Sequence, residues 1–317
     1  MISGSRVLLT GGAGFIGTAL AARLLESNEV VVFDSGHRNA LQRSVIADHA
    51  NLAFIRGDVL DISALQAAAQ GCHEIVHLAA IAGVDTVLRM PVTTMKVNIL
   101  GTFNALEVAA GLPDLRRFID FSTSEVFGTY AYKVREADIT SLGAVGEARW
   151  TYAVSKLATE HLAHNYHKQF GIPAVSIRPF NIYGPGQVGE GAIHRFVVQA
   201  LSDEPVTIHN DGSQIRAWCY IDDMVDAIMT CLSSPAAIGQ AFNIGNPRSV
   251  VTIHNLAMDI VRIAESRSEI RNIEWDSADV ELRIPNIDKA RQLLGFQPRI
   301  DLDEGLRRTI DWYRARK

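Results

Sequence analysis

The chain has few cysteines, no long apolar run and no excess of positive charge. Cys72, Cys219 and Cys231 have neither CxxC nor Cys/His ligand spacing, so we expect free thiols in a reducing compartment. No run of about 18 apolar residues predicts a membrane span. Residues 1–10 also lack the apolar stretch of a signal peptide. The sequence therefore predicts a soluble, cytoplasmic protein without a membrane partner.

Charge and histidine spacing argue against two further classes. The formal net charge is -5, which gives no support to a nucleic-acid partner, since such a partner would bind a basic face. The ten histidines form no HExxH motif and no two-His-one-carboxylate spacing, so no metal site is expected. An anionic substrate would have to be held by a few local arginines.

The order of apolar segments predicts an α/β fold. The chain has 317 residues, 48% of them hydrophobic, which suffices for a large α/β unit with an appended lobe. Short apolar runs alternate with longer segments of helical spacing, as in βαβ units with a parallel sheet. The predicted strands are Arg6–Thr10, Glu29–Asp34, Leu52–Gly57, Glu74–Leu78, Arg117–Phe121 and Ala174–Arg178. The predicted helices are Gly17–Ser27, Ile62–Gln70, Thr93–Ala110 and Tyr152–Phe170. A Rossmann-type, doubly wound parallel sheet is therefore the expected fold.

The character of the chain changes after Arg178, where the turn-rich stretch NIYGPGQ follows and the elements become shorter. We expect a dinucleotide-binding domain at 1–178, to which 217–245 returns. We expect a smaller C-terminal substrate-binding lobe made of 179–216 and 246–317. A cleft between the two would be the natural substrate site.

The motif GGAGFIG follows the first predicted strand and opens the first helix, which is the order of a dinucleotide site. Gly11 permits the tight turn, Gly14 lets the backbone approach a pyrophosphate, and Gly17 lets helix and strand pack closely. The free N–H groups at the helix start face the phosphates. Asp34 can accept hydrogen bonds from ribose hydroxyls and would repel a 2′-phosphate. NAD is therefore the expected cofactor, although Arg38 could receive such a phosphate.

A second motif, YAVSK, places Tyr152 and Lys156 on one face of a helix. A tyrosine with a pKa of about 10 is a poor base at neutral pH, and a neighbouring cation favours its phenolate form. We expect Tyr152 to take a hydroxyl proton while hydride leaves the same carbon. Lys156 would also hold the nicotinamide ribose.

With these motifs together, the chain resembles the extended short-chain dehydrogenase/reductase superfamily, in its nucleotide-sugar epimerase/dehydratase branch. The resemblance covers nearly the whole chain and rests on GGAGFIG, HLAA, FSTSEVFG, YAVSK, RPFNIYGPGQ and GSQIR. It implies NAD, a nucleotide-diphosphate sugar with UDP favoured, and a homodimer that pairs through helices 93–110 and 152–170.

The resemblance also implies roles for individual residues. Thr123 matches the catalytic Ser/Thr, which stabilises charge on the reacting sugar oxygen. Asn181 and Arg216 match positions that hold the diphosphate, for which arginine is well suited. Asn98 matches a position that either contacts the cofactor or supports the site. The other implied cofactor positions are Phe15, Ile16, Asp58, Val59, Leu78, Ala79, Ala80 and Pro179.

The residues after Thr123 bear on the reaction. The branch shares oxidation of the sugar at C4 as its first step. Its dehydratases carry Asp-Glu at this point, whereas this chain has Ser124 and Glu125, which argues against 4,6-dehydration. The Thr-Ser-Glu run resembles UDP-glucuronate decarboxylases, as do RWTY before the catalytic tyrosine and DVELR at 279–283. This likeness implies that Glu125 orients the sugar or acts as a base and that Arg283 aids proton delivery.

Decarboxylation is the leading hypothesis, and C4 epimerisation of a UDP-hexose or UDP-hexuronate is the alternative. The related decarboxylases and uronate epimerases usually have arginine where this chain has Gly186, so Arg195 or Arg283 would have to recognise a carboxylate. A non-catalytic NAD-binding regulator and a reductase that consumes external NADH are further alternatives. The intact Thr/Tyr/Lys set argues against the regulator.

Overall fold

The computed structural model describes residues 2–275 and 280–316. Its helices are α1 Phe15–Leu24, α2 Ile62–Ala68, α3 Val84–Arg89, α4 Pro91–Ala110, α5 Thr151–Phe170, α6 Ala192–Leu201, α7 Ile221–Ser233, α8 Ile253–Ile263, α9 Asp288–Leu294 and α10 Leu302–Arg314. Its strands are β1 Arg6–Thr10, β2 Glu29–Asp34, β3 Leu52–Arg56, β4 Glu74–His77, β5 Arg117–Phe121, β6 Tyr130–Val134, β7 Ala174–Pro179, β8 Ile182–Tyr183, β9 Val206–His209, β10 Ile215–Ala217, β11 Cys219–Tyr220, β12 Ala241–Ile244, β13 Val250–Thr252, β14 Ile270–Ile273 and β15 Leu282–Pro285.

A seven-stranded parallel sheet forms the centre of the molecule, in the order β12-β7-β5-β4-β1-β2-β3. Its inner strands are almost wholly apolar because helices cover both faces. Val7 and Leu9 of β1 pack in a core with α1 and α7. Leu8 points the other way, into a core with α2 and α4. The predicted Rossmann-type α/β fold is confirmed.

The strand order creates a crevice at one edge of this sheet. The chain runs from β1 outward to β2 and β3, then returns to β4 on the opposite side of β1 and continues to β5. The loops that leave the carboxyl ends of β1 and β4 therefore diverge, which is where ligands bind in open α/β sheets. The glycine motif leaves β1 at this point. Helix α1 begins at Phe15, earlier than predicted, because Gly14 is already its N-cap.

The remaining strands form smaller sheets beside the carboxyl ends. A four-stranded mixed sheet has the order β13-β10-β15-β6, and β8 pairs with β11 while β9 pairs with β14. Strand β12, from the 217–245 stretch, completes the large sheet. Strand β6 belongs to the small sheet although it precedes 178 in the chain. The division into two domains stays a prediction.

Candidate active site

A cavity of about 520 Å³ lies in the crevice at the carboxyl ends of β1, β2 and β4. It brings together almost all of the cofactor positions expected from the sequence. They are Gly11, Gly14, Phe15, Ile16, Gly17, Asp34, Asp58, Val59, Leu78, Ala79, Ala80, Tyr152, Lys156 and Pro179.

The glycines of the first loop stand where no side chain fits. A Cβ on Gly11 would lie 2.5 Å from the backbone nitrogen of Ala79, and Gly11 has a positive φ of 68°. A Cβ on Gly17 would lie 2.5 Å from the Cα atom of Gly12. Gly14 caps α1 without a side-chain hydrogen bond, and the first turn contains no acidic residue. The backbone N–H groups of this turn are therefore available to an anion.

Asp34 is fixed at the end of β2 by two backbone hydrogen bonds. One carboxylate oxygen accepts from the Ala13 nitrogen at 3.0 Å, and the other accepts from the Gly36 nitrogen at 2.8 Å. Each oxygen has a further lone pair for a ribose hydroxyl. Its fixed negative charge faces the same cavity, which disfavours a 2′-phosphate.

Two buried polar groups at the inner end of the cavity indicate that a dinucleotide fits it. The Lys156 side chain is 1% exposed, and its Nζ has no hydrogen-bond partner among residues 2–275 and 280–316. The Ser122 hydroxyl likewise has none within the described chain. Burial lowers the pKa of Lys156, while Asp120 acts in the opposite direction. Because buried polar groups are almost always hydrogen-bonded, ribose hydroxyls would satisfy these atoms.

Asn98 does not line the cavity. Its Oδ1 accepts from the Ile81 nitrogen at 2.8 Å, and its Nδ2 donates to the Ile81 oxygen at 3.2 Å and to the Ser155 hydroxyl at 3.0 Å. Asn98 thus ties the loop after β4 to helix α5. Of the two roles that the sequence leaves open, this geometry supports the positioning one.

Thr123 and Tyr152 meet at the boundary between the cofactor cavity and the small sheet. Thr123 follows β5 and caps a short 3-10 helix, Ser124–Phe127, where its Oγ1 accepts from the Glu125 nitrogen at 3.2 Å. Ser124 is buried in this turn. Burial and then Glu125 raise the pKa of Tyr152 well above its usual value, while the Thr123 hydroxyl lowers it. The expected lowering by Lys156 is not among the main influences, so the phenol is neutral here.

Glu125 is the centre of a buried charge cluster. One of its oxygens lies 2.7 Å from Arg149 Nη1, and the other lies 3.6 Å from Arg283 Nη1. Arg216 lies on β10 in register with Arg283 on β15. Burial alone would raise the pKa of Glu125, but Arg149 and Arg283, together with Arg216, hold it below its usual value. Three arginines from distant segments thus surround one carboxylate.

Three other positions from the sequence analysis lie outside this cluster. Arg195 stands on α6 with its side chain 43% exposed, 3.9 Å from Asp85. The Asn181 amide donates to the Ala217 oxygen at 2.9 Å and so ties the loop after β7 to β10. Gly186 adopts a positive φ of 77°, which disfavours any residue with a side chain at this position. Asp279 lies outside the described residues.

The structure also reveals a buried acid that the sequence analysis did not single out. Asp120 stands in register with His77 on β4 and Ser176 on β7. No hydrogen bond of ordinary geometry from the described chain reaches either of its oxygens. Burial raises its pKa to about 7, against the influence of Lys156. An aspartate inside the apolar run RFIDF was the available signal.

His77 shares this buried layer and remains neutral. It bonds the Thr10 hydroxyl at 2.7 Å and the Thr102 hydroxyl at 3.0 Å. Burial, together with Lys156, lowers its pKa to about 3. Both ring nitrogens therefore bond hydroxyl groups that link β1 and α4, which makes His77 a structural residue.

A model of the NAD dependent epimerase/dehydratase family matches residues 7–245. The chain belongs to this family. NAD is accordingly its cofactor, and the buried Lys156 and the glycine loop fit that group. None of the helices in the described chain has the length and apolar character needed to cross a membrane.

Family members with assigned reactions match almost end to end. A UDP-N-acetyl-alpha-D-glucosaminuronate decarboxylase from Bacillus cytotoxicus is 31% identical, over 98% of each chain. UDP-glucuronic acid decarboxylase 5 from Arabidopsis thaliana is 34% identical, over 99% of this chain and 91% of the relative. The crystal structure of a UDP-glucuronic acid 4-epimerase from Bacillus cereus, with UDP-glucuronic acid and NAD, is 32% identical. It has a TM-score of 0.89 and covers 98% of this chain and 100% of that chain.

Proposed function

We propose that this enzyme decarboxylates a UDP-hexuronate through a transient C4 ketone held beside NAD. The observation that carries the proposal is the cluster of Arg149, Arg216 and Arg283 around Glu125, next to Thr123. Arginine guanidinium groups bind carboxylates and phosphates through charge-assisted, often paired hydrogen bonds, so this arginine cluster suits a substrate that carries both kinds of anion. The diphosphate and the C6 carboxylate of a UDP-hexuronate are such groups. The UDP-uronate enzymes among its relatives support the same substrate class.

The positions of these side chains suggest which of them binds the diphosphate of the substrate and which binds its carboxylate. Arg216 and Asn181 would hold the diphosphate, because they lie where the loop after β7 meets β10. Arg283 is buried beside Glu125 and would hold the sugar carboxylate. Arg195 is exposed and lies near Asp85 rather than in the Glu125 cluster, so it is left out of this assignment.

Tyr152 would take the proton of the C4 hydroxyl as hydride leaves C4. When bound, NAD supplies the hydride acceptor and a positive ring charge, and positive charge near the phenol favours its ionised form. Thr123 would donate a hydrogen bond to the C4 oxygen. The neutral phenol that results stands beside this oxygen. A proton is thus held where the ketone forms.

Decarboxylation follows from the position of the C4 ketone, which is β to the C6 carboxylate. The C5–C6 bond breaks, carbon dioxide leaves, and the electron pair passes to the C4 oxygen as an enolate. The enolate then takes a proton from solvent at C5, and hydride returns to C4 to give a pentose. Because its arginines keep Glu125 ionised, we assign it the positioning of Arg149 and Arg283 rather than proton transfer.

The test is incubation with UDP-glucuronate, UDP-N-acetylglucosaminuronate, UDP-glucose and UDP-N-acetylglucosamine, with products identified by NMR. Substrates labelled with ¹³C at C6 report released carbon dioxide. We expect a UDP-pentose and labelled carbon dioxide from a uronate, and neither from the Tyr152→Phe variant. Turnover of the neutral sugars alone would overturn the uronate assignment, and no turnover across the panel would overturn the proposed function.

C4 epimerisation of a neutral UDP-hexose is the second candidate, and Gly186 favours it. A Cβ at this position would have only Trp312 within 4 Å, at 3.8 Å, so the loop leaves open space where related uronate enzymes usually have arginine. The same NMR experiment distinguishes the two reactions. Inversion at C4 without change of mass would select epimerisation.

We further propose that the enzyme is a cytoplasmic homodimer. The three cysteines are buried free thiols, which suits a reducing compartment. Helices α4 and α5 pack together and expose Leu100, Phe103 and Val154, at 46%, 42% and 38%. Sedimentation should show a dimer, and Phe103→Glu should shift it toward monomer. A wild-type monomer at working concentration would contradict the assignment.

A further inference from the structure

A polar network joins two loops and the start of helix α3 at the rim of the cofactor cavity, and Glu190 is its centre. One Glu190 oxygen accepts from Arg38 Nη2 at 3.2 Å and from the Thr86 hydroxyl at 2.5 Å. The other accepts from the Asp85 nitrogen at 2.9 Å. The Glu190 side chain is only 20% exposed. One carboxylate thus receives donors from the loop of Arg38 and from helix α3, both more than 100 residues away in sequence.

These segments border the cavity itself. Arg38, Thr86 and Val188 all line it, and Glu190 follows Val188 by two residues. Arg38 also donates to Thr86 at 3.3 Å, so the three side chains form a closed ring. The rim of the cavity is therefore held by contacts between its walls.

Two glycines let the walls approach each other. A Cβ on Gly83 would lie 2.5 Å from a Glu190 carboxylate oxygen, and one on Gly189 would lie 2.9 Å from Arg38 Nη1. Both glycines have positive φ, 102° and 94°, which other residues rarely adopt. The loop backbones thus leave room for the Glu190 and Arg38 side chains and for little else.

We propose that Glu190, Arg38 and Thr86 form a clasp that retains the dinucleotide between the two hydride transfers. This inference rests on the proposed internal redox cycle. If the reduced cofactor dissociated after the first hydride transfer, the sugar ketone could not be reduced again. Opening the rim separates a partly buried ion pair and hydrogen bonds to a charged group, which are stronger than neutral ones. Release of the dinucleotide should therefore be slow while the clasp is closed.

The experiment measures the exchange of bound radiolabelled NAD against excess unlabelled NAD, in the full chain without sugar. Glu190→Gln keeps the shape and removes the charge, and Arg38→Met removes the other half of the ion pair. We expect each to release NAD about tenfold faster, since removal of one charge-assisted contact is of that order. The double variant should be no faster than the faster single variant, because both break the same contact. Thr86→Val should accelerate release to a smaller extent.

The matched control is Arg262→Met, which removes an exposed ion pair with Asp259 and Asp303 far from the cavity. It should leave the release rate unchanged, and all variants should melt within a few degrees of wild type. Release within twofold of wild type in both Glu190→Gln and Arg38→Met would overturn the proposal, as would additive effects in the double variant. Because no sugar is present, the result is independent of whether the enzyme decarboxylates, epimerises or fails to turn over a given UDP-sugar.

Discussion

Replacing Asp120 by asparagine should stabilise the protein, and the gain should grow as the pH rises from 5 to 8. Asp120 is fully enclosed under the active site, and ordinary hydrogen bonds from the described residues do not reach its carboxylate oxygens. Burial therefore raises the pKa of this carboxyl group from 3.8 to about 7. At pH values between these two pKa values, the Asp120 carboxyl group is ionised in the unfolded chain and protonated in the folded chain. Stability is therefore lost as the pH rises through this window.

The magnitude follows from the two pKa values. Each pKa unit corresponds to ~1.4 kcal/mol, so a rise from 3.8 to about 7 destabilises the folded state by about 4 kcal/mol once both states are ionised. Part of this loss is already present at pH 5. The remaining change between pH 5 and pH 8 is about 2.5 kcal/mol by the same linkage relation. Asparagine does not ionise, so the Asp120→Asn variant escapes the whole pH-dependent loss.

Urea unfolding at pH 5, 6, 7 and 8, at one fixed NAD concentration, measures this difference. A constant offset between the two proteins would reflect the packing of the amide, whereas an offset that grows with pH reports the ionisation of Asp120. The exposed residue Asp114 offers a control, since Asp114→Asn should show no growing offset. A difference between wild type and Asp120→Asn that stays within about 0.5 kcal/mol from pH 5 to pH 8 would refute the reasoning.

Three further outcomes follow from the site. Tyr152→Phe should lower kcat by at least about a hundredfold, because the C4 proton loses its acceptor, and calorimetry should show unchanged UDP-uronate affinity. Glu125→Gln should loosen the orientation of Arg149 and Arg283 and thereby lower turnover, while the shape of the pH–rate profile stays unchanged. If the variant lost one limb of the pH–rate profile, Glu125 would instead be a residue that transfers a proton. Asp34→Asn should narrow the preference for NAD over NADP by about tenfold, read from the two dissociation constants; an unchanged preference would contradict the role of the Asp34 charge.

The sequence predicted the elements that depend on local pattern. Strand β1, strand β2 and helix α5 agree with their predicted bounds to within one residue. The spacing of their apolar residues indicates both the type of element and which side chains are buried. The cavity that contains the glycine motif, Asp34 and Lys156 is a consequence of this strand order. Local pattern failed for β6 and for the small sheet, whose strands are short and pair with strands that are distant in sequence. No window of the sequence contains that pairing information.

The same limit explains what the sequence missed at the site. Asp120 and Glu190 lie in segments without a motif, and their roles arise from distant neighbours: Lys156 for the first and Arg38 for the second. In the sequence, Arg149 stands out only as part of the RWTY segment that precedes the catalytic tyrosine. In the structure it is a principal counterion of Glu125.

The charge cluster argues against Glu125 as the residue that transfers a proton to or from the C4 ketone. A base for sugar chemistry must spend part of the cycle neutral, yet Arg149 and Arg283 both stabilise the Glu125 anion. Removing this carboxylate is costly because Arg149 and Arg283 lose the counterion that they share. A substrate carboxylate that enters the same cluster would restore the balance from outside. We therefore expect an anionic substrate to bind more tightly to Glu125→Gln than to wild type even as turnover falls. A calorimetric titration with UDP-glucuronate that shows weaker binding to the variant would place the carboxylate site elsewhere.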